Sequence, residues 1–116
     1  NIKMDKLTQY SNQIKEILSK HVNLCNQYSK HDIENILITD ENNHHYIWLS
    51  VGWRKSDRIN DITVYVRIRD QKFWIEEDWT EVGIANELIA LGVPKEDIVL
   101  GFHSPQMRPY TDFAVA

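Results

Sequence analysis

Between positions 62 and 69 the chain alternates apolar and polar residues without a break: Ile62, Val64, Val66 and Ile68 against Thr63, Tyr65, Arg67 and Arg69. A period of two puts successive side chains on opposite faces, so this segment reads as a half-buried β-strand. Its neighbours constrain the fold further. Residues 45–53 are rich in β-branched and aromatic types, with Ile47, Leu49 and Val51 on one face, and Phe73-Trp74-Ile75 opens another strand after Asp70-Gln71-Lys72. Upstream, Ile33, Ile36, Leu37 and Ile38 form a run that stops at the turn signal Asp40-Glu41-Asn42-Asn43. Connections this short suit hairpins and exclude the crossovers that parallel neighbours need. A four-stranded, mainly antiparallel meander is the expectation.

Helices flank this block. From Asp5, an N-cap by type, Leu7, Tyr10, Ile14, Ile17, Leu18 and Val22 recur at steps of three and four. Lys6, Gln9, Asn12, Gln13, Glu16 and Lys20 take the opposite side, so one apolar stripe must lie on the sheet. The pattern fades at residues 23–26. Met4-Asp5-Lys6 reads as a natural start, with residues 1–3 an extension and no signal peptide ahead of the helix. A second helix is expected from Asp78, whose spacing to Glu81 is that of a capping box, with Val82, Ala85, Leu88 and Ile89 as its apolar face. Gly92 stands where a C′ glycine belongs and Pro94 where a helix cannot continue. Residues 94–97 suit a tight turn, 98–100 are a short apolar run, and the chain turns irregular through Ser104-Pro105 and Arg108-Pro109. The uncharged end Phe113-Ala114-Val115-Ala116 is expected to dock on the body or on another subunit. The chain reads as a single domain, residues 1–116, of the α+β class: N-terminal amphipathic helix, four-stranded mainly antiparallel meander, second helix, irregular C-terminal tail.

Composition agrees and excludes several classes. With 116 residues, 42% hydrophobic and 26% charged, the chain can bury one core and is not disordered. No apolar run nears the roughly 20 residues of a membrane span. A single cysteine, Cys25, makes neither an intrachain disulfide nor a cysteine-based zinc site, and a reducing cytoplasm is the expected compartment. A net charge of −4 argues against binding dominated by nucleic-acid phosphates. The charge is uneven, however. Residues 54–72 hold six basic side chains against three acidic, whereas residues 76–97 hold seven acidic against Lys95 alone.

Candidate chemistry is sparse. His44 and His45 are adjacent, His21, His31 and His103 are scattered, and none has metal-ligand spacing with a partner. Ser50 is not in a nucleophile elbow, the four glycines make no phosphate cradle, and Cys25 suits a small buried residue. Glu76-Glu77-Asp78 with Glu81 is helix-start chemistry. No catalytic residue, metal or cofactor is assigned, and no enzyme is expected. Trp48, Trp53, Trp74 and Trp79, interleaved with Arg54, Arg58, Arg67 and Arg69, suit a stacking surface for nucleic acid, a protein interface or the core.

Residues 78–88 and the string Gly92-Val93-Pro94-Lys95-Glu96-Asp97-Ile98-Val99-Leu100-Gly101-Phe102 resemble the XisI family, the fdxN-element excision controlling factors of filamentous cyanobacteria. Met4-Asp5-Lys6-Leu7 with Tyr10, Ile14 and Ile17-Leu18 is similar to that family's opening helix. Val51-Gly52-Trp53 is similar to its central strand, and Pro105, Arg108, Thr111 and residues 113–116 to its closing motif, so the resemblance spans residues 4–116. It implies a role in programmed DNA excision beside a site-specific recombinase and a XisH-type protein of nuclease-like fold, with no catalytic motif to carry over.

The function expected is therefore a non-enzymatic accessory factor that contacts a XisH-type partner. The alternative is a DNA-binding accessory factor of the recombinase that uses residues 54–72. A two-fold homodimer is also expected, and no membrane contact. Trp53, Arg54, His103 and Arg108 are the candidate partner-binding residues, because a loop with two prolines gives no local reason for its polar side chains.

Overall fold

The computed structural model describes residues 5–30 and 32–116. The readings made for Met4 and residues 1–3 and for His31 lie outside these residues. Helix α1 (Lys6–Tyr28) leads into strands β1 (Asp32–Asp40), β2 (His45–Arg54), β3 (Asp57–Arg69) and β4 (Lys72–Asp78). Helix α2 (Ile84–Ala90), a 3-10 turn (Lys95–Asp97), strand β5 (Ile98–Leu100) and a second 3-10 turn (Arg108–Tyr110) follow.

The sheet has five strands in the order β1-β2-β3-β4-β5, and the last pair is parallel. This corrects the four-stranded meander. The run at residues 98–100 pairs beside β4 because α2 carries the chain back to the end where β4 began, the crossover a parallel neighbour requires. The three hairpins are as the short connections dictate. Asp70 and Gln71 both take positive φ (53° and 60°), the conformation that matches a two-residue turn to the twist of its strands.

Helix α1 starts where Asp5 accepts a hydrogen bond from Thr8 N at 2.7 Å. Its stripe of Tyr10, Ile14, Ile17, Leu18 and Val22 is buried against one face of the sheet, built from Tyr46, Trp48, Val64, Val66, Ile68, Phe73, Ile75 and Ile98. The helix runs to Tyr28, past the asparagines expected to end it. That overhang corrects the reading of Cys25, which is exposed because the helix outruns the core after Val22. Asn26 instead faces the edge strand. Its Oδ1 accepts from Asn35 N at 2.8 Å, and its Nδ2 donates to Asn35 O at 2.9 Å. The amide thus satisfies outward-pointing backbone groups in the middle of β1, which blunts an edge that would otherwise invite another strand.

Two bulges break the alternation the sequence displays. Trp48 pairs with Val64 but Leu49 with Ile62, so Thr63 is the extra residue and Ile62 turns to the opposite face. Val64 and Val66 are fully buried while Ile62 is 40% exposed, which corrects the expectation of one face from Ile62 to Ile68. A second bulge at Glu76 lies between the Val66–Ile75 and Tyr65–Glu77 pairs.

Helix α2 begins five residues later than its capping-box spacing suggests, with Gly83 rather than Asp78 at the N-cap position. Asp78 accepts from Thr80 N and Thr80 Oγ1 through one oxygen and from Ile84 N, at 2.7 Å, through the other. It organises the helix start across a loop, Ile84 takes the buried position, and Val82 is exposed. At the other end Gly92 (φ 94°) and Val93 donate to the carbonyls of Ile89 and Leu88, the Schellman arrangement. The apolar tail docks on the body: Ala114 N donates to Ile98 O at 2.9 Å and Lys72 Nζ to Ala116 O at 2.6 Å.

A polar clasp fixes α1 to the turn before β5. Tyr10 Oη donates to Asp97 Oδ2 at 2.5 Å, and Lys6 Nζ lies 2.7 Å from the same oxygen. Burial raises the Asp97 pKa, but the hydrogen bonds from Lys6 and Tyr10 outweigh it and hold the carboxyl below its ordinary value. A depressed folded-state value contributes stability above the unfolded pKa of about 4, and the contribution is lost as pH falls through the folded value. Tyr10→Phe is therefore expected to cost about 1–2 kcal/mol at neutral pH. Urea titrations at neutral pH and near pH 2 check this, because the cost should shrink once Asp97 is protonated.

Candidate functional site

The sequence-predicted contact residues fall into two groups. Trp53 and Arg54 end β2 at its hairpin with β3. Trp53 is exposed, with the Arg58 guanidinium 5.3 Å from its ring centroid. Arg54 lies on the rim of a cleft of about 580 Å³ beneath the overhanging end of α1. Leu24, Tyr28, Ile33 and Ile59 give that cleft apolar walls. Its floor is polar. Asn35 Oδ1 accepts from Trp48 Nε1 and from Ser50 Oγ, each at 2.9 Å, and the Ser50 and Thr63 hydroxyls share a hydrogen bond of 2.8 Å.

His103 and Arg108 occupy the other end. The His103 ring tilts against Phe102, with centroids 4.7 Å apart. Arg108 Nε donates to His103 O at 3.1 Å, Nη1 reaches Val115 O at 3.4 Å, and the guanidinium lies 5.3 Å from the Trp74 ring. Arg108 thus staples the loop and the tail to the sheet. Trp74 pairs with Arg67, and Arg67 with His45, eight residues along β2 from Trp53. At about 3.3 Å per residue the two groups stand roughly 26 Å apart, so the structure does not bring the four residues together.

Trp74 was the unassigned centre of the second group. Arg67, Arg69 and Arg108 place their guanidinia 6.0, 5.0 and 5.3 Å from its ring centroid. Arg67 Nε also lies 3.0 Å from Glu76 Oε2, off-line for a hydrogen bond but close enough for an ion pair. The four tryptophans therefore divide: Trp48 and Trp74 are buried, Trp53 and Trp79 exposed. The one signal available beforehand was the arginine spacing around residues 67–74.

Among the described residues the histidines make local contacts. His21 stacks on Trp48 with centroids 5.4 Å apart and meets Glu87 at 2.8 Å, tying α1 to α2. His45 Nδ1 shares a hydrogen bond of 2.7 Å with Tyr65 Oη, and His44 sits in a turn at φ 59°. Among the described residues no three His, Cys, Asp or Glu side chains converge as metal ligands, and no helix is long and apolar enough to cross a membrane.

A search of curated proteins returned no match. Among solved structures, a XisI-like protein from Anabaena variabilis ATCC 29413 superposes with a TM-score of 0.86 at 38% identity, over 95% of this chain and 99% of that one. The fdxN element excision controlling factor XisI from the same organism gives a TM-score of 0.83 at 42% identity, over 97% of this chain and 100% of the other. Residues 4–115 match the family model of the XisI protein, and the chain belongs to the XisI family.

Proposed function

We propose that this chain is a non-enzymatic accessory factor in programmed DNA-element excision, acting in the cytoplasm through contact with a XisH-type protein. The carrying observation is its likeness, at 42% identity over nearly its whole length, to an fdxN element excision controlling factor. The surface supports contact rather than chemistry. Exposed Trp53, Trp79, Phe102 and Tyr110 are types favoured where proteins meet, whereas His21, His44, His45 and His103 are engaged in local ring contacts and hydrogen bonds. Trp53 and Arg54 at one end, and His103 and Arg108 at the other, are the proposed contacts.

The alternative, direct DNA binding through residues 54–72, rests on Arg54, Lys55 and Arg58 at the exposed β2–β3 hairpin. Arg67 and Arg69 weigh against it, since both guanidinia lie against Trp74.

Co-purification with the XisH-type protein, beside DNA binding at low and high salt, separates the two readings. A stable complex that weakens when Trp53 and Arg54, or His103 and Arg108, become alanine supports the first, with losses above about 1 kcal/mol at a true contact. No complex, together with DNA affinity that falls steeply with salt, overturns it. DNA cleavage by the chain itself, abolished by a point substitution, overturns its non-enzymatic assignment.

A further inference from the structure

The helices and the buried core occupy one face of the sheet, and over β1–β3 the opposite face carries a second apolar surface. The strand registers place Ile36 and Ile38 of β1, Ile47, Leu49 and Val51 of β2, and Ile62 of β3 on it. None of the six is fully buried, and Ile38 and Ile62 are exposed. An apolar face of this extent, left open on a sheet, marks an interaction surface.

Charges flank it asymmetrically. The β1 side carries Asp32, Glu34 and Asp40, and the β3 side carries Arg58 and Arg67, with Ile47, Leu49 and Val51 of β2 between them. Through the ladder, Asp32 and Arg58 both align with Trp53, while Asp40 and Arg67 both align with His45. A two-fold axis lying in the interface along β2 exchanges the β1 and β3 sides and leaves each row in place. It sets Asp32 of one copy against Arg58 of the other and Ile36 against Ile62, while Leu49 meets Leu49 and Glu34 falls opposite Asn60. Asp32–Arg58 is the charge pair that carries the match, because Arg67 already pairs with Glu76 and Asp40 accepts from the amides of its own turn. An axis across the strands would instead oppose Asp32 to Asp40 and Arg58 to Arg67, like against like.

From this self-complementarity we infer that the open sheet face binds a second copy of this chain, packed sheet to sheet about a two-fold axis parallel to β2. Aligned sheet packing is an ordinary way for two such faces to bury each other, and an isologous interface requires the self-matching charge found here. The alternative route, through the sheet edge, is closed at Asn35 by the Asn26 amide. This assignment goes beyond the proposed function and is independent of it.

Sedimentation equilibrium of the purified chain, without any partner, tests it. The expected mass at tens of micromolar is twice 13.7 kDa. Leu49→Asp is expected to weaken the dimer more than about a hundredfold, since two carboxylates would then meet in its apolar centre. Arg58→Asp alone and Asp32→Arg alone should each weaken it about tenfold, and the double exchange should restore it. Both charge sites are exposed, so these variants keep the test valid even where Leu49→Asp fails to fold. A monomer at these concentrations, a dimer indifferent to Leu49→Asp, or a double exchange without rescue overturns the inference. So does a monomeric chain whose open face is protected from hydrogen exchange only by a different protein.

Discussion

Gly52→Ala is expected to be among the most destabilising single substitutions in this chain, costing about 3 kcal/mol or more of the 5–15 typical of a domain. Gly52 pairs with Ile33 across the β1–β2 ladder at φ 151°, and a Cβ there would stand 2.0 Å from Asp32 O and 2.8 Å from Ile33 Cα. Both obstacles are backbone, so no side chain can swing aside. Strand β1 would have to leave its register at Asp32 and Ile33, next to the short link that ties it to α1. Gly92→Ala is the control: its φ of 94° also strains an alanine, but nothing lies within 4 Å of the new Cβ. That variant should lose only about 1–2 kcal/mol. Urea denaturation of both measures the difference, and equal losses would show that the crowding at Gly52 is relieved freely.

The second large effect is expected at Phe73. The ring is fully buried, stacks on Tyr10 with centroids 4.5 Å apart, and sits on β4 opposite Ile68 on one side and Ile98 on the other. It therefore joins α1, the antiparallel part of the sheet and the parallel strand β5. Phe73→Ala should cost about 3–5 kcal/mol, the lost transfer energy plus the cavity that three surrounding elements cannot all collapse to fill. Phe73→Leu, which retains most of the volume, should cost clearly less. A Phe73→Ala variant within about 1 kcal/mol of the parent would mean the core is not organised around this ring.

Much of the candidate site was hidden for a definable reason. Arg108 drew notice as a polar residue on an irregular loop, yet its hydrogen bonds run to His103 O and Val115 O and its guanidinium to Trp74. Its partner ring lies thirty-four positions away in sequence, and no local pattern reports such a contact. Asn26 likewise stands where the helical pattern fades, yet its amide reaches nine positions along the chain to hold the outward backbone groups of Asn35 at the sheet edge.

Local sequence by itself determined the elements: the stripe of α1, the three hairpins and the glycine end of α2 follow from periodicity and turn chemistry acting over a few residues. The match of residues 4–115 to the XisI family agrees with the resemblance carried by the motifs. Only the tertiary structure decided the side on which each residue works. One extra residue at Thr63 moved Ile62 from the core face to the open face, and the crossover through α2 made residues 98–100 a fifth, parallel strand. The physical reason is that a strand's alternation fixes which side chains share a face without saying which face meets the helix. That choice belongs to long-range packing, which left β1–β3 apolar on both sides and put helix α1 on only one.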